Sequence, residues 1–348
     1  MARGENRDLI IMPEYRWGGA ETQFRAYLAH ALESELKTDV IITHGFENYS
    51  DELPVFDNGV IRFFEINSEA AMQMHLENVS EDTNYKRCLI YFPRDLRFFD
   101  VLTRFNIEVI YSERNDGAVV LNSPSYSDIL KKCRFVTCNS EYAAEKLQSK
   151  LSVQVLVINN GIGLHEMFPL KENKVIKNIL VPARIDRIKN QMRVLSFLKT
   201  NDDAFKVTFA GRIQDKPYFL RMKHFIEDNT LEDSVLFCGD MKEMSNLYKE
   251  TDVVLLSSLC EGTPNVILES YMYGRPVIAM NIEAVQGIVD SRFIYDVADN
   301  DGISRCLRML KDMTSDEYSE LIHGNRKKVI VDYSMSKMVA EYQRILRM

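Results

Sequence analysis

The sequence predicts an α/β protein built on doubly wound parallel sheets. Three observations carry that expectation. Apolar runs of strand length recur along the chain and alternate with helical stretches, the pattern of repeated βα units. Several runs are followed by glycines or charges, as at Gly18-Gly19, Arg184 to Lys189 and Gly211-Arg212, where a parallel sheet turns its ligand-facing edge. A chain of 348 residues also has the length of about two such domains.

In the first half, strands are expected at Leu9–Met12, Asp39–Thr43, Val60–Ile66, Arg87–Phe92, Glu108–Ser112, Phe135–Cys138 and Val153–Ile158. Gly18 and Gly19 mark a strand-to-helix turn before an amphipathic helix reaching about Glu33. There a backbone without side chains can approach a ligand, and the helix start can face an anion. A bare Gly-Gly is weak evidence, and it is not the dinucleotide fingerprint Gly-x-Gly-x-x-Gly. The long polar connection His44 to Asn58 falls where ligand-facing loops are expected. Phe98, Leu102 and Phe105 share one helical face, and Arg97 and Arg104 share another. A core-packed helix with a solvated side is favoured there over a patch for a lipid-linked or anionic acceptor. Ser140 is placed to cap a helix reaching about Lys150.

In the second half, strand Asn178–Pro182 leads into Arg184 and Lys189, two cations able to clamp a diphosphate. A helix to about Lys199 follows. Strand Lys206–Ala210 ends at Gly211, where the backbone can approach a nucleotide. Strands at Val235–Cys238 and Val253–Leu256 come next. Thr263 is the expected N-cap of a helix with Pro264 at its first position, ending near Tyr273 with Gly274 beyond. Pro276–Ala279 is the last expected strand, and the chain from Asp299 onward reads as mostly helical. Asp299-Asn-Asp301 is the one Asp-x-Asp sequence, read as a helix N-cap and not as metal ligands.

Two acids stand out in this half. Glu261 lies in the loop before the helix, and Glu269 lies one turn after Asn265 on the face that includes the helix start. A phosphate suits the helix start at Asn265 and Val266. A ribose diol suits Glu269, and a second polyol suits Glu261. The set describes a nucleotide sugar. On spacing alone, a solvated helix acid and an unrelated loop acid are the favoured reading.

Composition narrows the class. Hydrophobic content of 46% and charged content of 27% are those of a globular protein. The net charge is −8, of which −7 falls in residues 1–165, so no basic face for nucleic acid is expected. No apolar run reaches membrane-spanning length and no signal-peptide core follows the N-terminus. The six cysteines are spaced apart and read as reduced core residues, which fits the cytoplasm. The histidines show no metal-like spacing, and no metal or other cofactor is expected.

The run Glu261-Gly-Thr-Pro-Asn-Val-Ile-Leu-Glu269 resembles the Glu-x7-Glu signature of retaining glycosyltransferases of family 4. Its continuation Ser270-Tyr-Met-Tyr-Gly-Arg-Pro-Val-Ile is similar as well. Arg184 and Lys189 match the family's Arg-x4-Lys pair. Gly-Gly-Ala-Glu21 resembles the loop that faces donor diphosphate and acceptor, and Asn159-Asn-Gly-Ile162 the interdomain crossover. In the stretch Ser112 to Asp116, many members carry a histidine facing the transferred sugar, and here Arg114 takes its place. Arg114 is therefore a candidate sugar or acceptor contact, or pairs with an acid. The resemblance covers nearly the whole chain, with motifs specific in the second half and loose in the first.

The resemblance implies a GT-B fold, two Rossmann-like domains facing across a cleft. It implies residues 1–165 as the acceptor domain, with the helix 334–348 returning onto it, and 166–333 as the nucleotide-sugar domain. It implies transfer with retention from an NDP-sugar, with UDP-sugar expected, to a glycan or lipid-linked glycan of surface polysaccharide synthesis. Arg184, Lys189 and Glu261 are then the catalytic set. Gly18, Gly19, Gly211, Asn265, Val266 and Glu269 then hold the donor. Peripheral contact with the inner face of the membrane stays open. So do two other readings: an epimerase or phosphorylase on the same fold, and a non-catalytic nucleotide-sugar-binding module.

Overall fold

The computed structural model describes residues 4–13, 19–44, 59–115, 117–163, 176–201, 203–241 and 243–348, with the backbone alone for 19–22. The chain forms two compact units, Met1–Gly163 with Tyr333–Met348, and Leu164–Asp332. The connection His44 to Asn58 lies beyond the described residues after His44 and up to Asn58.

In the first unit the strands are β1 (Glu5–Asn6), β2 (Asp8–Met12), β3 (Thr38–Ile42), β4 (Ile61–Glu65), β5 (Thr83–Asn84), β6 (Arg87–Ile90), β7 (Glu108–Glu113), β8 (Phe135–Cys138) and β9 (Val155–Val157). Seven make one sheet in the order β4-β3-β2-β6-β7-β8-β9, and β1 pairs with β5. The pairs are parallel throughout. Alternation of side chains splits the apolar residues between two faces. Leu9, Ile11, Cys88, Ile90, Val109 and Tyr111 face one core. Ile10, Met12, Val40, Leu89 and Ile110 face the other, which the returning helix Met335–Arg347 completes with Met338, Val339, Tyr342, Ile345 and Leu346. Strands covered on both sides read as unbroken apolar runs, which is why they are visible in the sequence.

The second unit carries β10 (Asn178–Pro182), β11 (Lys206–Ala210), β12 (Val235–Gly239), β13 (Val253–Leu256), β14 (Val277–Met280) and β15 (Ile294–Tyr295). They form one parallel sheet in the order β12-β11-β10-β13-β14-β15. The order reverses between β10 and β13, and a crevice beyond the carboxyl ends of those two strands is where such sheets bind ligands.

Three local expectations are corrected. The stretch after β6 is not one helix: Pro93–Phe98 is a 3-10 turn and Phe99–Arg104 an α-helix. Phe98 and Leu102 are buried there and Arg97 and Arg104 exposed. The helix at Asn265–Met272 begins one residue later than expected, with Pro264 in the N-cap position, since its extended backbone (ψ 99°) keeps it outside the helix. The Asp299 side chain does not cap the helix Gly302–Asp312, whose N-cap position is held by Asp301 without a side-chain bond. Asp299 instead pairs with Arg305 at 3.1 Å, and Asp301 pairs with Arg308 at 2.5 Å. Ser140 does cap its helix, accepting from the Ala143 N–H at 3.3 Å. No helix among the described residues is long and apolar enough to cross a membrane.

Candidate functional site

The loop after β10 is built by its neighbours on either side. On one side Ile185 pairs with the exit of β11, its N–H donating to Arg212 O at 2.8 Å and its carbonyl accepting from Gln214 and Asp215. On the other, Leu259 N–H donates to Ile188 O at 2.8 Å, and the Ser257 hydroxyl donates to Lys189 O at 2.7 Å. Below, the fully buried Gln191 donates to Arg184 O at 2.8 Å. The exits of β11, β10 and β13 are thereby tied into one rigid rim.

Gly211 makes this rim possible. A Cβ there would stand 2.2 Å from Ala183 O and 2.7 Å from Arg184 N. The sequence suggested that Gly211 lets the backbone approach a nucleotide. The close approach found is to the protein's own backbone, at the root of Arg184.

The two cations of the loop are each met by a carboxylate. Arg184 Nε donates to Asp186 Oδ2 at 2.5 Å, and Asp186 Oδ1 accepts from the Lys189 backbone N–H at 2.9 Å. Burial alone would raise the Asp186 carboxyl, but the Arg184 guanidinium and the Lys189 N–H bring it below the usual carboxylate range. Lys189 Nζ reaches the loop after β13 and pairs with Glu261 Oε1 at 2.5 Å, both side chains being 15% exposed. Three of the residues expected from the sequence, Arg184, Lys189 and Glu261, therefore sit at the reversal point of the sheet.

Four residues after Glu261 the helix Asn265–Met272 begins. Glu269 lies one turn along. It is partly buried and accepts a bond from the Tyr248 hydroxyl at 3.1 Å, with the Tyr248 ring stacked on Tyr273 at 4.7 Å. Burial pushes the Glu269 carboxyl up to about 7, against the smaller opposing effect of the Tyr248 hydroxyl.

Arg114 belongs to the first unit, at the end of β7, and is buried. Among the described residues it pairs with no acid. Its Nη1 donates to the Tyr342 hydroxyl at 2.9 Å, its Nη2 to Asn160 Oδ1 at 2.5 Å, and the guanidinium lies 5.7 Å from the Tyr91 ring centre. The acid beside it, Glu113, accepts from the backbone N–H groups of Arg114 and Asn115. Arg114 thus joins the crossover segment to the returning helix. Gly19 opens the helix Gly19–Glu33, and Gly18 lies outside the described residues.

Sequence reasoning missed Asp186 and Tyr248. An acid two residues after one cation and three before another was a visible hint for Asp186. Tyr248 stands 21 residues before Glu269, and nothing local announces the pairing.

Residues 165–328 match the family described as glycosyl transferases group 1. The chain is 24% identical over 184 residues to N-acetyl-alpha-D-glucosaminyl L-malate synthase of Bacillus anthracis, covering 50% of this chain and 45% of that one. It is 26% identical over 207 residues to UDP-Gal:alpha-D-GlcNAc-diphosphoundecaprenol alpha-1,3-galactosyltransferase of Escherichia coli, covering 54% and 52%. These matches span about half the length of each relative. Anabaena HepE, solved in complex with UDP-glucose, superposes with a TM-score of 0.79 at 14% identity over 98% of this chain and 99% of that one. Two Rossmann-type units with that full-length likeness make the fold GT-B.

Proposed function

We propose that this chain is a retaining glycosyltransferase of family 4, moving a sugar from an NDP-sugar to a glycan or lipid-linked glycan acceptor. The observation that carries the reading is the meeting of Arg184, Lys189 and Glu261 at the reversal point of the second sheet, beside the helix start at Asn265. Similarity to a galactosyltransferase named for a diphosphoundecaprenol-linked GlcNAc supports a lipid-linked glycan acceptor, and a neighbour solved with UDP-glucose favours a UDP-sugar donor.

In this reading Arg184 and Lys189 neutralise charge growing on the departing diphosphate, together with the N–H groups of Asn265 and Val266. Glu261 holds hydroxyls of the transferred sugar, and Glu269 accepts from the ribose diol. The reading also assigns Gly18 and Gly19 to the donor. No side-chain nucleophile is evident in the sequence, so in this reading the reaction proceeds on one face, the leaving phosphate assisting deprotonation of the acceptor. Protein cations take the part a divalent ion plays in other transferases, so no metal is required. The proposed setting is the cytoplasm, with peripheral contact at the inner face of the membrane when the acceptor is lipid-linked.

The test is a thermal-shift screen of UDP-sugars against GDP-sugars, followed by turnover with the stabilising donor and NMR of the anomeric configuration in the product. An acceptor-linked α-glycoside from an α-linked donor supports the reading. Release of free sugar or sugar phosphate as the sole product, or an inverted linkage, overturns it.

A further inference from the structure

We propose that Asp186 is a positioning residue that fixes the orientation of the Arg184 guanidinium and the backbone at Lys189, and so sets the geometry of the diphosphate clamp. The inference rests on the reading of Arg184 and Lys189 as that clamp. Asp186 itself touches neither substrate nor reacting atoms.

The geometry is specific. A guanidinium offers five N–H donors in a planar fork. Asp186 Oδ2 takes the Nε–H of Arg184 at 2.5 Å, which leaves the outer edge, Nη1 and Nη2, as the two-donor face suited to a phosphate. The Arg184 side chain is 44% exposed while that of Asp186 is 10% exposed, so the held atom lies inward and the fork outward. The second oxygen, Oδ1, closes a turn by accepting from the Lys189 N–H at 2.9 Å. One carboxylate therefore spans the loop between the two cations. The loop backbone is already pinned to β11 and β13 through Ile185 and Ile188. What the backbone bonds leave undetermined is the direction of a long, exposed arginine side chain, and Asp186 supplies it. The carboxylate also carries a cost: a negative charge beside a site for an anion weakens attraction to the ligand. Orientation and affinity thus pull in opposite directions at this residue.

That opposition yields the test. Asp186→Asn removes the charge while keeping the shape. It is expected to bind UDP as tightly as wild type or more so, by calorimetry, while kcat with the donor found by thermal shift falls about tenfold or more, the scale of a misdirected charged donor. In an Arg184→Ala background Asp186→Asn is expected to cost clearly less kcat than in wild type, because the guanidinium it orients is gone and only its bond to the Lys189 N–H remains. Asp186→Glu, which keeps the charge but moves the carboxylate by one methylene, is expected to lower kcat as well. Should Asp186→Asn fail to fold, Asp186→Glu alone decides. A folded Asp186→Asn with wild-type kcat overturns the proposal. So does an equal loss in the Arg184→Ala background, which would make Asp186 a general structural acid. If wild type itself neither binds a nucleotide sugar nor turns one over, it is the proposed function that falls.

Discussion

Glu269→Gln should make the protein more stable near neutral pH and worse at holding a nucleotide. The Glu269 carboxyl titrates at about 7 in the folded chain against an ordinary value of 4.5. Between those values the native state binds a proton that the unfolded state releases. Stability then falls as pH rises through that window and levels off above about 7. At roughly 1.4 kcal/mol for each pH step, the cost of carrying an ionised Glu269 reaches on the order of 3 kcal/mol. The glutamine variant does not carry it, so its urea midpoint should exceed wild type at pH 8 and approach wild type at pH 5.

Binding should move the other way. If the ionised carboxylate accepts from a ribose diol, wild type at pH 6 has only about a tenth of its sites ready, and its affinity should be about tenfold weaker than at pH 8. The glutamine variant should show no such pH dependence, and at pH 8 it should bind more weakly by the ~1.5–3 kcal/mol of a bond to a charged group. Calorimetry with UDP-glucose suits the measurement, because its phosphates are diesters without a proton to lose in that range. Equal pH slopes for wild type and variant would refute the argument and leave Glu269 as a helix acid held by Tyr248.

Three other perturbations follow from the same geometry. Arg184→Ala and Lys189→Ala should each raise the barrier to turnover by about 3 kcal/mol, read from kcat/KM, and wild-type rates in both would remove the clamp. Gly211→Ala should cost about 3 kcal/mol in urea denaturation, because backbone on the Ala183 side must yield to a Cβ 2.2 Å away; an unchanged midpoint would show that the rim is soft. Turnover should survive EDTA and change little with Mg²⁺ or Mn²⁺. Loss with EDTA and recovery with Mn²⁺ would show that the protein cations are insufficient.

The sheets were legible because their strands are buried on both faces. Ile10, Ile11 and Met12, or Val253 to Leu256, need no periodicity to be recognised. The β1–β5 pair and β15 escaped notice because two residues make no pattern. At the site, Glu261 and Glu269 could be named from their spacing and resemblance, yet the link from Glu261 to Lys189 joins residues 72 apart and depends on the β10–β13 neighbourhood. Arg114 shows the limit most plainly. Its side chain meets Asn160 and Tyr342, one 46 and the other 228 residues away, and no local reading of Ser112 to Asp116 could select between ligand contact and tether.

The returning helix has a consequence for how the chain is made. Leu164–Asp332 interrupts the first unit, and the polypeptide leaves and re-enters it side by side, with Ile162 N–H bonded to Tyr333 O at 2.7 Å and Met335 N–H to Ile162 O at 3.2 Å. Tyr342, Ile345 and Leu346, which cover Ile10, Leu89 and Ile110, leave the ribosome after the whole of the second unit. During synthesis the earlier half must wait with one side of its sheet covered by the helix Gly19–Glu33 but not by the returning helix, while the later half can fold as soon as it emerges. The order of birth and the order of completion are reversed. Nascent chains stalled after Asp332 should therefore bind chaperone through the first unit, and a nick or frameshift beyond Tyr333 should unfold residues more than three hundred positions upstream.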